Sequence, residues 1–317
     1  MENHYGHLLR ITWKYAHGHR LKMVIAYAMF VCSDIARMAG PYVLALMLNQ
    51  IQVGGADLLM KITWLLVLYA SLDFWLWLFH GPARVMERTI AFHIVKHFNE
   101  HMFHMIAKLP LKWHKDHHSG NVISRVNKAS GALRQFANNG YEVIQTIVEF
   151  IISLGAIFFL LPKLGFLALI VGIFIVLLIL KFDKFLVSSL KEINERTHVF
   201  ESTFYDYITN ITTVITLRLE KLAKNETIQK IQYIFPIWRR NVVVNEVKWF
   251  AMNMGLSLMG FVIFFTYIYE KISLGETIMI GSFMALYQYT DKFMSTFYRI
   301  GWQYEQLVWY NADIKTG

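Results

Sequence analysis

Six apolar runs divide this chain, at residues 21–48, 58–79, 141–161, 164–182, 249–269 and 272–289. Each is close to the roughly 20 residues that a helix needs to cross a hydrocarbon core of about 30 Å. Backbone polar groups cannot stay unpaired in lipid, so runs of this kind fold as helices. The apolar stretch from residue 150 to 180 is too long for one crossing, and Pro162 with Lys163 marks a hairpin inside it. Composition agrees with a membrane protein: 56% of residues are hydrophobic, only 17% are charged, and mean hydropathy is +0.38. Cys32 is the single cysteine, so no intramolecular disulfide is available and the fold must hold by packing. The first apolar run is too long for a signal-peptide core and no small-x-small pattern follows it, so the N-terminus is expected to be retained.

A net charge of +9 would suggest nucleic acid in a soluble chain. In a membrane chain it asks instead which side the cations face, and no nucleic-acid partner is expected. Of the 31 Lys and Arg residues, 27 fall on one side, before the first run, in the two long links, after the sixth run, or at the adjoining run ends (Lys22 and Lys181), and Lys61, Lys163 and Lys271 fall on the opposite face. Arg37 lies inside the first run. The positive-inside rule therefore predicts a multi-pass protein with both termini and both long links in the cytoplasm; the membrane expected is the plasma (inner) membrane.

The outer connections are short: residues 49–57, then "PK", then "EK" at Glu270 and Lys271. The inner links, residues 80–140 and 183–248, exceed sixty residues each and hold little Pro or Gly. In the first of them Val85, Ile90, Ile94, Phe98, Met102 and Met105 or Ile106 recur at helical spacing. The spacing predicts that the membrane helices continue past the bilayer, then turn and return. At 1.5 Å per residue, about 25 residues reach roughly 35–40 Å. The fold class expected is all-α: six transmembrane helices with long cytoplasmic helical extensions, folded into two hairpins with short polar tips.

The first tip carries Leu109, Pro110, Trp113, Ser119, Gly120, Ser124, Arg125 and, downstream, Arg134. The second carries Asp206, Asn210, Ile211, Thr213, Val214 and Glu220. "LPKLGFLAL" forms the hairpin between the third and fourth spans, and "LLRITWKYAHGHR" precedes the first. In order and spacing these resemble the transmembrane domain of ABC exporters, over nearly the whole chain. The resemblance implies a cytoplasmic elbow helix over residues 1–20, a transmembrane domain over residues 21–310 and the start of a linker at residues 311–317. It also implies two coupling helices that dock on an ATPase domain. The coupling residues carried over are Asp116, Ser119, Gly120, Asn121, Ser124 and Arg125 at the first tip, and Tyr205, Asp206, Asn210 and Thr213 at the second. The family often has acidic residues where Ala129 and Gly131 stand here, and a Lys where Ile215 stands.

No G-x-x-x-x-G-K-[ST] occurs in these 317 residues, so nothing here cradles ATP phosphates. The resemblance places ATP and Mg in an associated nucleotide-binding domain, on the continuation of the chain or on a separate polypeptide. No catalytic, cofactor-binding or metal-ligating residue is expected in this chain. The partners it implies are the bilayer, a second half-transporter in a homodimer or heterodimer, and an ABC ATPase domain.

Ionisable residues at membrane depth cost several kcal/mol unless they face a bundle interior or water. Asp34 and Arg37 share one face of the first span and can neutralise each other; Gln145 and Glu149 share a face of the third. With Asn253, Gln288 and Asp291 these are the substrate-pathway candidates, the alternative being polar contacts that hold helices together. Asp73 and His80 in the second span are weaker candidates. His93, His97, His101 and His104 recur at helical spacing, with His114, His117 and His118 on the first tip. They read as a solvated or interfacial helix face, because no Cys or acidic partner at suitable spacing completes a metal site. Asn210 and Asn225 stand in N-x-T patterns but on a cytoplasmic link, so both should be unmodified. Trp64, Trp249 and Trp302 fit an aromatic belt, and Trp13 an interfacial elbow beside Leu8, Leu9 and Ile11. The function expected is export of a substrate by alternating access driven by ATP hydrolysis in the associated domain. The rivals are an ATP-independent transporter or channel, and a regulatory subunit without transport of its own.

Overall fold

The structure is a computed structural model and describes residues 4–116 and 119–316; His117 and His118 lie outside the described residues. Among the described residues there are ten α-helices and no strand. They are α1 (His4–Tyr15), α2 (Arg20–Val53), α3 (Leu58–Ala107), α4 (Leu111–Asp116), α5 (Ser119–Asn138), α6 (Gly140–Leu160), α7 (Pro162–Thr209), α8 (Ile211–Thr216), α9 (Glu220–Ser273) and α10 (Ile280–Thr316). The expected continuation of helix beyond the apolar runs is present. In α3, 50 residues run unbroken through Pro82, in α7 48 residues, and in α9 54 residues through Pro236. By length and composition, five stretches are long and apolar enough to cross a membrane: α2, α3, Val122–Leu160, α7 and α9. The expected sixth span falls in α10, a more polar helix that carries Gln288, Asp291, Lys292 and Arg299.

The chain divides into two compact units, residues 1–169 with 259–317, and residues 170–258. In the first, α2 packs along α3, and α10 packs against α2, α5 and α6. One apolar cluster joins Leu8, Met23, Ile94, Phe98, Leu133 and Ile314, drawn from α1, α2, α3, α5 and α10. A second joins Met38 and Ala45 of α2 to Ala285 and Tyr289 of α10, with Ile152 and Ala156 of α6 against them. Leu8 is wholly buried there, so α1 turns its apolar face to protein, whereas Trp13 is exposed with the Arg20 guanidinium 5.1 Å from its ring centre.

Local chemistry sets the helix ends. Gly54 and Gly55 take positive φ values of 71° and 116° after α2, a conformation that costs glycine nothing. Pro162 opens α7 at the position where a missing N–H loses no hydrogen bond. The turn between α9 and α10 corrects the sequence reading. The expected sixth span began at residue 272, but α9 runs on to Ser273, Gly275 has a φ of 67°, and α10 starts only at Ile280. Lys271 pairs with Glu276 across this turn. The free N–H groups at the start of α10 are met by side chains at the end of α2. Ile280 donates to Gln52 Oε1 at 2.7 Å and Ser282 to Asn49 Oδ1 at 3.2 Å. Apolar residues in the turn had hidden its polar function.

In the second unit α7 and α9 are the arms of a hairpin and α8 is its tip. Lys248 Nζ lies 3.0 Å from Asp183 Oδ1, both nearly buried. Farther from the apolar run Arg196 donates to the Tyr233 carbonyl at 2.8 Å with its guanidinium 4.0 Å from that ring's centre, and next to the tip the Tyr207 hydroxyl donates to Glu226. With Asn241 donating to the Leu186 carbonyl at 3.3 Å, these polar ties clamp the arms at successive heights.

Candidate membrane ion cluster and coupling tips

Glu149 on α6 is 1% exposed and gathers groups from three helices. Gln145, one turn earlier, donates to its Oε1 at 2.9 Å; Arg37 of α2 donates to the same oxygen at 3.4 Å; Arg299 of α10 pairs with Oε2. Arg37 also pairs with the buried Asp34 at 2.7 Å. Two cations against two carboxylates make the cluster neutral, which is the condition for keeping charge inside an apolar bundle. Arg299 Nε is buried without a hydrogen-bond partner, so the cluster retains one unused donor.

A second node lies where α5 gives way to α6 at Asn139, a break in what was expected to be a continuous arm. Glu87 of α3 accepts from the Tyr141 N–H at 2.9 Å, so a carboxylate from another helix caps the N-terminus of α6. Arg84 pairs with Glu87, donates to the Asn138 carbonyl and lies 4.0 Å from the Tyr141 ring centre. Gly140 lies under this node. A Cβ there would meet the Tyr27 hydroxyl at 2.6 Å and Glu87 Oε1 at 3.1 Å.

Both hairpin tips are short helices. Pro110 precedes α4, with the Trp113 N–H bonded to its carbonyl at 2.9 Å. Ser124 and Arg125 are exposed on α5; α4 and α5 include Asp116, Ser119, Gly120 and Asn121 by backbone, their side chains lying outside the described residues. Beside them Asn99, Phe103, Trp113, Val122 and Ile123 line a groove of about 580 Å³. At the other tip Tyr205, Asp206, Asn210 and Thr213 are exposed, and only Val214 of α8 is buried. Asn210 donates its side-chain amide to the Asp206 carbonyl at 3.0 Å, and Arg218 turns the chain with a φ of 52°.

The family profile for the ABC transporter transmembrane region matches residues 23–290. The chain belongs to that family. It is the membrane-spanning part of an ABC transporter, an integral membrane protein in contact with lipid, of a kind that usually works with an ATPase partner. A search of curated proteins found no individual match.

Within the first unit of this ABC transporter domain the pathway candidates do not all meet. Asp34, Arg37, Gln145 and Glu149 converge in one cluster, whereas Gln288 is half-buried and Asp291 exposed elsewhere on α10. Asn253 belongs to the second unit and is exposed. Asp73 is exposed, and His80 packs edge-on against Phe30, Trp77 and Tyr141. Sequence reasoning missed Arg299, having counted it among the cytoplasmic cations. Its place seven residues beyond Lys292, two turns along the same helix, carried no signal of a partner on α6. It also missed Glu87 and Arg84, whose i,i+3 spacing was the available clue. Of the two readings of the histidine face, the contacts fit an interfacial one: His97 stacks on His17 at 4.0 Å and His93 on His19 at 4.3 Å, joining α3 to the turn between α1 and α2. Ala129, where the family often has an acid, is wholly buried with Ala132 and Leu133, so an apolar residue fits that position.

Proposed function

We propose that this domain pairs with a second half-transporter, identical or related, and exports a substrate by alternating access driven by ATP hydrolysis in an associated nucleotide-binding domain. α10 is the sixth crossing, both termini are cytoplasmic, and the membrane is the plasma (inner) membrane. ATP and Mg belong to the associated domain, since this chain has no phosphate-cradling loop. What its own residues do is receive and transmit motion. The observation that carries the reading is that each long helical arm leaving an apolar run ends in a six-residue helix, α4 or α8, with polar residues exposed on the second tip. A stiff arm moves its far end when its tip is moved, and α7 and α9 are helical without a break from the apolar runs to α8. The coupling residues are those named at the two tips, and the pathway wall includes the Asp34–Arg37–Glu149–Arg299 cluster, whose pairings offer a switchable contact among α2, α6 and α10.

The test places a cysteine at Gln145 in a Cys32→Ser background, with the intact protein and its ATPase domain in a bilayer. An impermeant maleimide added from the tip side should label it without nucleotide, and ATP trapped with vanadate should protect it. Labelling that is the same in both states would favour an ATP-independent transporter or a regulatory subunit.

A further inference from the structure

At the end of α7's apolar run, α7 and α9 leave between them an open groove of about 540 Å³ within the second unit. Its walls are apolar: Phe174, Leu177, Phe182 and Val244 line it, with Phe174 62% and Leu177 60% exposed. Its only charged lining residues are Lys181 and Arg240, one from each helix. Neither makes an ion pair among the described residues; Arg240 lies 5.1 Å from the ring centre of Phe185, which leaves a cation held in place without a counter-ion. The nearest carboxylate in sequence, Asp183, is engaged by Lys248, and the flanking residues Lys184 and Arg239 add positive charge. An apolar slot that opens along a membrane helix and ends in two unpaired cations at the bilayer boundary is complementary to a molecule with a hydrocarbon tail and an anionic head.

We infer that the α7–α9 groove is a binding site for an anionic phospholipid, its phosphate met by Lys181 and Arg240 and an acyl chain laid along Phe174 and Leu177. The site does not depend on what the transporter carries or on whether ATP drives it. It requires only that α7 stands in a bilayer.

Native mass spectrometry of the intact detergent-solubilised protein, titrated with phosphatidylglycerol or with phosphatidylcholine of the same chains, tests this. The wild-type protein should retain phosphatidylglycerol preferentially. K181Q/R240Q should lower that retention by roughly 25-fold, since each surface cation is worth roughly fivefold, and lower phosphatidylcholine retention much less, so that the preference is lost. K181R/R240K should keep the preference. L177W, which fills the slot but keeps both cations, should weaken binding of both lipids. Equal retention of the two lipids by the wild type, or an undiminished preference in K181Q/R240Q, would overturn the assignment. So would crosslinking of L177C, in a Cys32→Ser background, to the second copy together with retention of neither lipid by the wild type, since the groove would then be a protein interface. Should K181Q/R240Q fail to fold, L177W alone decides: unchanged phosphatidylglycerol retention in that variant refutes the site.

Discussion

Arg299 of α10 pairs with Glu149 of α6 in the interior of the first unit, across 150 residues of sequence. The pair gives α10, the least apolar of the long helices, a reason to be in the bundle. Its arginine is the counter-charge that lets Glu149 be buried.

Removing one partner of a buried pair typically costs about 3–5 kcal/mol, because the other charge is stranded. Asp34 remains to hold Arg37, so E149Q should cost about 3 kcal/mol, and R299M a similar amount. The double variant E149Q/R299M should lose clearly less than the two together. Thermal melting of the purified protein in detergent gives all three values, and additive losses would show that the pair is not coupled.

The Asp183–Lys248 pair makes a sharper case, since both side chains are nearly buried and Asp183 Oδ2 has no hydrogen-bond partner. K248M should destabilise by about 3–5 kcal/mol, whereas D183L/K248M should recover most or all of it. Melting temperatures in which the double variant is as weak as K248M would argue that something other than the stranded carboxylate is at fault.

Two glycines in the first long link should respond in opposite directions. A Cβ at Gly140 collides with the Tyr27 hydroxyl and with the carboxylate that caps α6, so G140A should cost about 1–3 kcal/mol. At Gly131, inside α5, a Cβ meets nothing within 4 Å, and G131A should gain up to about 1 kcal/mol from helix propensity alone. The same melting assay separates them.

Acidification should loosen the turn that joins α1 to α2. His19 is held below the ordinary imidazole pKa, chiefly by burial and then by His93, Lys22, His97 and His17 nearby. The unfolded imidazole takes a proton near pH 6.5 while the folded one resists it, so below that value the unfolded state binds more protons. Stability from this contact is therefore present above pH 6.5 and is lost as pH falls toward the folded value. Hydrogen exchange over residues 7–19, corrected for intrinsic rates, should be faster at pH 5.5 than at pH 7.5. Substituting His19 and His93 by Asn should abolish the difference.

Much of this fold was legible because lipid leaves few choices. Apolar runs, the Pro162 hairpin and helical spacing in the links led directly to α2, α3, α6, α7 and α9. What was hidden depends on partners far away in sequence. The start of α10 is set by Asn49 and Gln52, more than two hundred residues earlier, and the apolar Leu274, Ile278 and Met279 of the preceding turn look like membrane helix by composition. The break at Asn139 is set by Glu87, and Arg299 joins the ion cluster only because α10 packs on α6. Asp34, Arg37, Gln145 and Glu149 could be chosen from the sequence because charge within an apolar run is costly wherever it points.

The central claim, that the tips of these hairpins deliver the work of an ATPase to the membrane, is tested most directly at Asn210, the exposed residue between α7 and α8. With N210C in a Cys32→Ser background, a short bifunctional maleimide applied during ATP turnover should yield a crosslinked peptide pair. It should join the α7–α8 tip to a cysteine placed on the surface of the associated ATPase domain, whether that domain is on the same polypeptide or another. If no such pair forms at Asn210, while a control cysteine on the same domain reacts normally, the tip does not contact the ATPase and the coupling mechanism is wrong.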